Sequence, residues 1–305
     1  SNVIRIYTIL PPEFYEALNY YNLHNSDTKL YVLQGVWIEE PEESNYYHAK
    51  IQREFQKEII DVLNVIHGNA IIAPRSGHAS GTYASNISPY VIGIILGREW
   101  EPKAVSQTNL VNTTNHYTGQ FISVNNATPM EVWLAQMMNF TVLYETQSYG
   151  SHRPVSFVNW LTLDPMYHTM EFVENKKIRE YDNDKESIDL RKFNASELFA
   201  PGIFASYHVY PYYPDFIYLQ KEYADAINRY GQKDNFVGYL RDLKAYHPGM
   251  PLVIAEYGLP SSRGNSHYTP DGLNQGGLSE KEQSDLSVRL SYDIADTRCA
   301  GAVYF

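Results

Sequence analysis

A (β/α)8 TIM barrel, complete or lacking its first strand in the chain as given, is the α/β fold that three observations on the 305-residue sequence predict. Short β-branched or aromatic runs alternate with longer amphipathic patterns, the arrangement of successive βα units around a parallel sheet. Several of those runs are apolar on both faces, as strands covered by helices must be. Residues 99–127 and 164–201 each follow a strand candidate and precede a helix, and those are the positions where a barrel carries the long loops of its mouth. Seven strands also fit an open doubly wound sheet, but the two long segments favour the barrel.

The strand candidates, in order, are residues 3–10 (VIRIYTIL), 30–38 (LYVLQGVWI), 90–96 (YVIGIIL), 155–161 (VSFVNWL), 205–210 (ASYHVY), 252–257 (LVIAEY) and 301–305 (GAVYF). Between them, Ile51, Phe55, Ile59, Val62 and Ile66 keep a helical stripe. Thr128, Pro129 and Glu131 supply an N-cap, a first-turn proline and a capping-box acid, and Ser279 with Glu282 repeats the box. Residues 216–230 read as a helix closed by Gly231, and His247-Pro248-Gly249 ends the next one.

With 44% hydrophobic residues, the chain has enough apolar material for a substantial core, and one domain over 1–305 is expected. A formal charge of −11 with no Lys/Arg-rich run removes the electrostatic footprint of nucleic-acid binding. No apolar run reaches the ~20 residues of a membrane span, and the first residues lack a basic-then-apolar signal pattern. Cys299 is the only cysteine, which excludes internal disulfides and Cys-rich zinc sites; its apolar setting predicts a packed core thiol. Tyrosine supplies 27 residues against 12 Phe and 4 Trp. That excess suits sugar-binding surfaces and amphipathic packing equally.

Two carboxylates close long apolar runs, Glu99 after residues 90–96 and Glu256 within 252–257. An acid at such a strand end leaves the core for the C-terminal rim, where barrel enzymes carry their catalytic groups. Hydrolysis of a sugar bond needs two carboxyl groups, one protonating the leaving oxygen and one attacking the anomeric carbon or activating water. A single strand-end Glu is as readily a solvated residue, and the joint occurrence favours chemistry. Glu101, Glu39 and Glu40 are alternatives; Gly97 and Trp100 around Glu99 suggest a shaped turn, whereas 39–43 reads as a charged loop.

Gly97-Arg98-Glu99-Trp100 resembles the strand-four Gly-Asn-Glu signature of clan A glycoside hydrolases, and residues 252–258 resemble their strand-seven segment. Tyr207-His208-Val209-Tyr210 is similar to their strand six, and Asn2-Val3-Ile4-Arg5-Ile6-Tyr7 to strand two of β-1,3-glucan-active members, including fungal glucanosyltransferases. On this alignment the chain starts at strand two and stops inside strand eight. The resemblance implies a retaining hydrolase or transglycosylase acting on a β-linked glycan, with Glu99 as acid/base and Glu256 as nucleophile. An oligo- or polysaccharide is then the partner, no metal or other cofactor is expected, and the setting is extracellular or the cell envelope. One position departs from the family, because Arg98 stands where an Asn amide binds the sugar 2-hydroxyl. Arg accepts no hydrogen bond and is always charged, so that contact must be made differently. Loss of the machinery, leaving a catalytically silent carbohydrate-binding barrel, is the competing function.

The expected substrate-binding residues are Arg5, Trp37, Arg98, Trp100, Asn159, Trp160, His208 and Tyr210. Trp37, Trp100 and Trp160 lie near strand ends and serve either as sugar platforms or as core. His208 either lines the rim beside Glu256 or is a satisfied structural histidine, and the neighbouring Tyr210-Pro211-Tyr212-Tyr213 run favours the rim. Asp182, Asp184 and Glu186 have calcium-like alternation without the Gly and distal Glu of a full loop, and read as a solvated charge run. Residues 75–80 (RSGHAS) match no phosphate loop and read as a rim loop before strand four. Asn86, Asn112, Asn126, Asn139 and Asn194 begin N-x-S/T sequons.

Overall fold

The computed structural model describes residues 2–41, 44–168 and 186–305. Asp182 and Asp184, with most of the acidic alternation, lie outside the described residues. The chain divides into two compact units, Ser1–Val158 with Asp189–Phe204, and Asn159–Ile188 with Ala205–Phe305.

The first unit runs β1 (Val3–Ile6), α1 (Pro12–His24), β2 (Tyr31–Val36), α2 (Ala49–Ile66), β3 (Ala70–Ile72), β4 (Gly81–Tyr83), β5 (Val91–Leu96), α3 (Pro102–Val111), β6 (His116–Thr118), β7 (Ile122–Asn125), α4 (Pro129–Tyr149) and β8 (Val155–Trp160), whose last two residues pass into the second unit. A further strand, β9 (Phe193–Ala195), pairs antiparallel with β7. Strands β1, β2, β5 and β8 form a parallel ladder in that order. The second unit holds β10 (Ala205–His208), α5 (Phe216–Leu219), α6 (Asn235–Tyr246), β11 (Leu252–Tyr257), the β12 (Asn265–His267) and β13 (Gln275–Gly276) hairpin, α7 (Glu280–Asp296) and β14 (Gly301–Tyr304). Here β10, β11 and β14 pair in parallel. Parallel strands joined through helices make this an α/β fold consistent with a TIM-like barrel.

The helices form where amphipathic spacing and caps coincide. The α2 stripe is buried along its length, with Phe55 stacked on Trp133 of α4 at 5.6 Å. Both predicted capping boxes are closed: Thr128 N donates to Glu131 Oε2 at 2.7 Å and Ser279 N to Glu282 Oε2 at 2.8 Å.

Several expectations are corrected. The segment 99–127 is not an open loop; it contains α3, started by Pro102 in its first turn, and the β6–β7 hairpin. The helix expected over 216–230 stops at Leu219. Beyond it the Asn228 side chain takes the backbone N–H groups of Tyr230 and Gln232 at 3.0 and 3.1 Å, offering a turn where a helix needs its own carbonyls. Gly231, at φ 75°, belongs to that turn and caps no helix. Cys299 is partly exposed, in the α7–β14 connection beside the Thr297 hydroxyl at 3.3 Å, and is not a core thiol. Residues 75–80 form the tip of the β3–β4 hairpin, closed by an Arg75–His78 bridge.

Candidate active site

In the first unit, β2 and β5 run side by side with Val36 opposite Leu96, so their C-terminal ends emerge together. The chain then turns sharply at Gly97, whose φ of 82° is in the left-handed region and whose N–H donates to Val36 O at 2.8 Å. A Cβ at this position would lie 2.1 Å from the Trp100 ring, so only glycine lets the indole fold back beneath the turn. Trp100 is fully buried, donates Nε1–H to Val158 O at 2.7 Å and meets Tyr46 edge-on at 5.3 Å. It is the turn's anchor in the core, and its lack of any exposed face removes it from the set of sugar platforms.

Anchored in this way, the turn leaves Arg98 and Glu99 partly exposed at the rim. The Arg98 guanidinium is engaged locally, 3.3 Å from Glu40 and 5.2 Å above the Trp37 ring. The Arg98 side chain therefore faces the end of β2. Glu101 is exposed and its backbone starts α3. Arg5 lies over the Tyr7 ring at 4.4 Å.

In the second unit, β10 and β11 pair in parallel until the register slips between Tyr207 and His208, which brings His208 opposite Glu256. A bulge of this kind re-aims a side chain, and without it His208 would face Ala255. His208 Nε2 lies 3.2 Å from Glu256 Oε1, with their side chains 5% and 8% exposed. The Tyr210 hydroxyl donates to Glu256 Oε2 at 2.9 Å, and its ring stacks on Tyr212 at 5.3 Å. Burial pushes the phenol of the next residue, Tyr257, up from its ordinary value, keeping it neutral. A carboxylate beside an imidazole nitrogen is also a pair of donor types that a divalent cation takes.

Asn159 is expected at the sugar but is buried and spent inside the unit. Its Nδ2 donates to Ile188 O at 3.0 Å and to the Tyr207 hydroxyl at 3.2 Å, while Oδ1 accepts the Trp160 N–H at 2.9 Å. His247 Nε2 reaches the same Tyr207 hydroxyl at 3.1 Å. This Asn159–Tyr207–His247 support under β10 was not foreseen; the only sequence trace of it is three polar residues set in otherwise apolar runs. Trp160 keeps part of its surface exposed.

Of the sequons, Asn86, Asn126 and Asn194 are exposed, Asn112 is partly exposed, and Asn139 is buried in α4. Asn139 Oδ1 accepts the Phe121 N–H at 2.9 Å, so that sequon is structural in the folded chain. No described helix is long and apolar enough to cross a membrane. No protein-family model and no curated protein matches this chain.

Proposed function

We propose that the chain is a retaining glycoside hydrolase or transglycosylase acting on a β-linked glycan, built as a single (β/α)8-type barrel domain. The observation that carries this reading is the setting of Glu256. A nearly buried carboxylate at the end of a parallel strand holds a tyrosine hydroxyl at 2.9 Å and a histidine nitrogen at 3.2 Å. Those contacts fix the carboxylate's orientation, as a nucleophile that must meet an anomeric carbon in line requires.

In this mechanism Glu256 attacks the anomeric carbon as the leaving oxygen takes a proton from Glu99. The resulting glycosyl ester is released when Glu99 removes a proton from water or from an acceptor sugar. Tyr210 and His208 hold the nucleophile. Trp37 and Trp160 retain exposed surface for sugar faces. With Arg98 held by Glu40 and Trp37, the 2-hydroxyl contact falls to another residue. That same engagement favours a second reading, a catalytically silent glycan-binding barrel.

Activity on aryl β-glycosides separates the two. Glu256→Gln removes the nucleophilic charge and should abolish turnover of every substrate. Glu99→Ala removes only proton transfer, worth roughly 10²–10⁴ in rate, so an activated aryl glycoside should still form the intermediate and azide should restore turnover. Equal loss on activated and natural substrates with no azide product moves the acid/base role to Glu101. Wild-type activity in Glu256→Gln ends the hydrolase reading.

A further inference from the structure

A groove of about 500 Å3 in the first unit runs between the end of β2, the first turns of α2 and the β3–β4 hairpin. Its apolar wall is Trp37, Ile51 and Phe55, and its carboxylates are Glu39, Glu54 and Glu58. A smaller hollow of about 230 Å3 shares Glu39, Ile51 and Glu54 and adds Glu40, His48 and Lys50. Glu54 and Glu58 are one helical turn apart and so face the same side of α2.

Two of the carboxylates here are unpaired. Glu39 and Glu54 are exposed and have no side-chain partner among the described residues. Glu58 is 5% exposed; Arg75 pairs with its Oε2, while its Oε1 is buried with no hydrogen bond. Lys57, on the same wall, is engaged by Asp61 outside the groove. Glu39 and Glu54 therefore line the groove with no cation paired to them among the described residues, the Arg75 guanidinium being taken by Glu58. A buried carboxylate oxygen without a donor holds negative potential in the groove that a bound cation relieves.

The groove also continues the rim that carries Glu99. Val36 opposite Leu96 sets Trp37 next to the Gly97–Trp100 turn, and the chain already seats a cation there, Arg98 over Trp37 with Glu40 beside it. We propose that this groove binds an amino-sugar unit of the glycan through its free, protonated amine. The inference rests on the glycan-active reading above and names a substrate class for it. The indole gives the flat face on which a sugar ring lies, and Glu39 and Glu54 hold the ammonium. Acetylation of the amine removes the charge, leaving those carboxylates unpaired. An indole wall fits a sugar ring better than it fits the thin methylene stem of a lysine, which favours a glycan over a basic peptide.

The test uses the full chain carrying Glu256→Gln, so that ligand is not turned over, in calorimetric titrations at low salt. The probes are a β-linked glucosamine tetramer, its N-acetylated counterpart and pentalysine. The glucosamine tetramer should bind at least tenfold more tightly than the acetylated one. The double substitution Glu39→Gln/Glu54→Gln, at two exposed positions, should remove that advantage while leaving weak binding of the acetylated tetramer unchanged. Equal affinity for the two tetramers, or indifference to the double substitution, overturns the proposal. Tight pentalysine binding with no glucosamine binding overturns it in favour of a basic peptide. Aryl-glycoside hydrolysis by the wild-type chain is read separately: inactivity there with amine-dependent binding intact defeats the catalytic reading and leaves the groove assignment standing.

Discussion

Tyr210 donates its hydroxyl to Glu256 Oε2 at 2.9 Å, from a position two residues past β10, while His208 stands 3.2 Å from the other oxygen. The carboxylate is thus gripped at both atoms by one short segment of the neighbouring strand. A hydrogen bond to a charged group contributes about 1.5–3 kcal/mol. Tyr210→Phe keeps the ring and its stacking on Tyr212 and removes only the hydroxyl. In the proposed hydrolase it should lower kcat/KM on an aryl glycoside by roughly tenfold to a hundredfold, while the lost hydrogen bond to a buried carboxylate lowers Tm by a few degrees. Unchanged kinetics would remove Tyr210 from the machinery.

The turn that presents Glu99 depends on a glycine. Gly97→Ala meets a left-handed φ of 82° and a Cβ position 2.1 Å from the Trp100 ring. Strain of this kind, added to a displaced core indole, should cost about 2–4 kcal/mol, and calorimetry should show Tm falling by several degrees. If the reading of Glu99 is right, hydrolysis of unactivated substrates falls further than hydrolysis of activated ones. An unaltered Tm would mean that the turn adapts without Trp100 leaving its place.

Legibility followed the range of the interactions. The two capping boxes are made by neighbours three residues apart, and the α2 stripe and the apolar runs of the seven parallel strands are marked by patterns of a few residues, so each is visible in the sequence. Glu256 stands out in the sequence because a charge at the end of an apolar run is a local anomaly. The His208–Glu256 register slip was not legible, since a bulge between two strands leaves no mark on either one alone. Trp100 was ambiguous for the same reason: whether a strand-end indole faces water depends on Val158 and Tyr46, distant in sequence. The segment 216–230 misled because its composition suits a helix while Asn228 captures the backbone locally.

A two-carboxylate mechanism needs no Lewis acid, and this separates it from metal-assisted hydrolysis, for which Glu256 and His208 offer suitable donors. Dialysis against EDTA should leave aryl-glycoside turnover within twofold of its starting value. A loss restored by zinc or manganese would replace the proposed mechanism with a metal-dependent one.

Asp293 on α7 gives the chain a pH dependence of its own. The residue is 1% exposed, both carboxylate oxygens lack hydrogen bonds, and Arg289 Nε stands 3.7 Å away with its guanidinium already given to Asp234. Burial, and then the charge of Asp234, push Asp293 up to about 7. An acid raised from an unfolded value of ~3.9 keeps its proton in the folded state where the unfolded chain has lost it. Its contribution to stability is therefore full below pH ~4, declines as pH rises, and is lost above about 7. Asp293→Asn cannot titrate, so the stability difference between variant and wild type should grow in the variant's favour from pH 4 to pH 8, by about 2–4 kcal/mol. Urea unfolding of both proteins across that range checks it: parallel stability curves would mean that Asp293 is ionised, paired with Arg289, throughout that range.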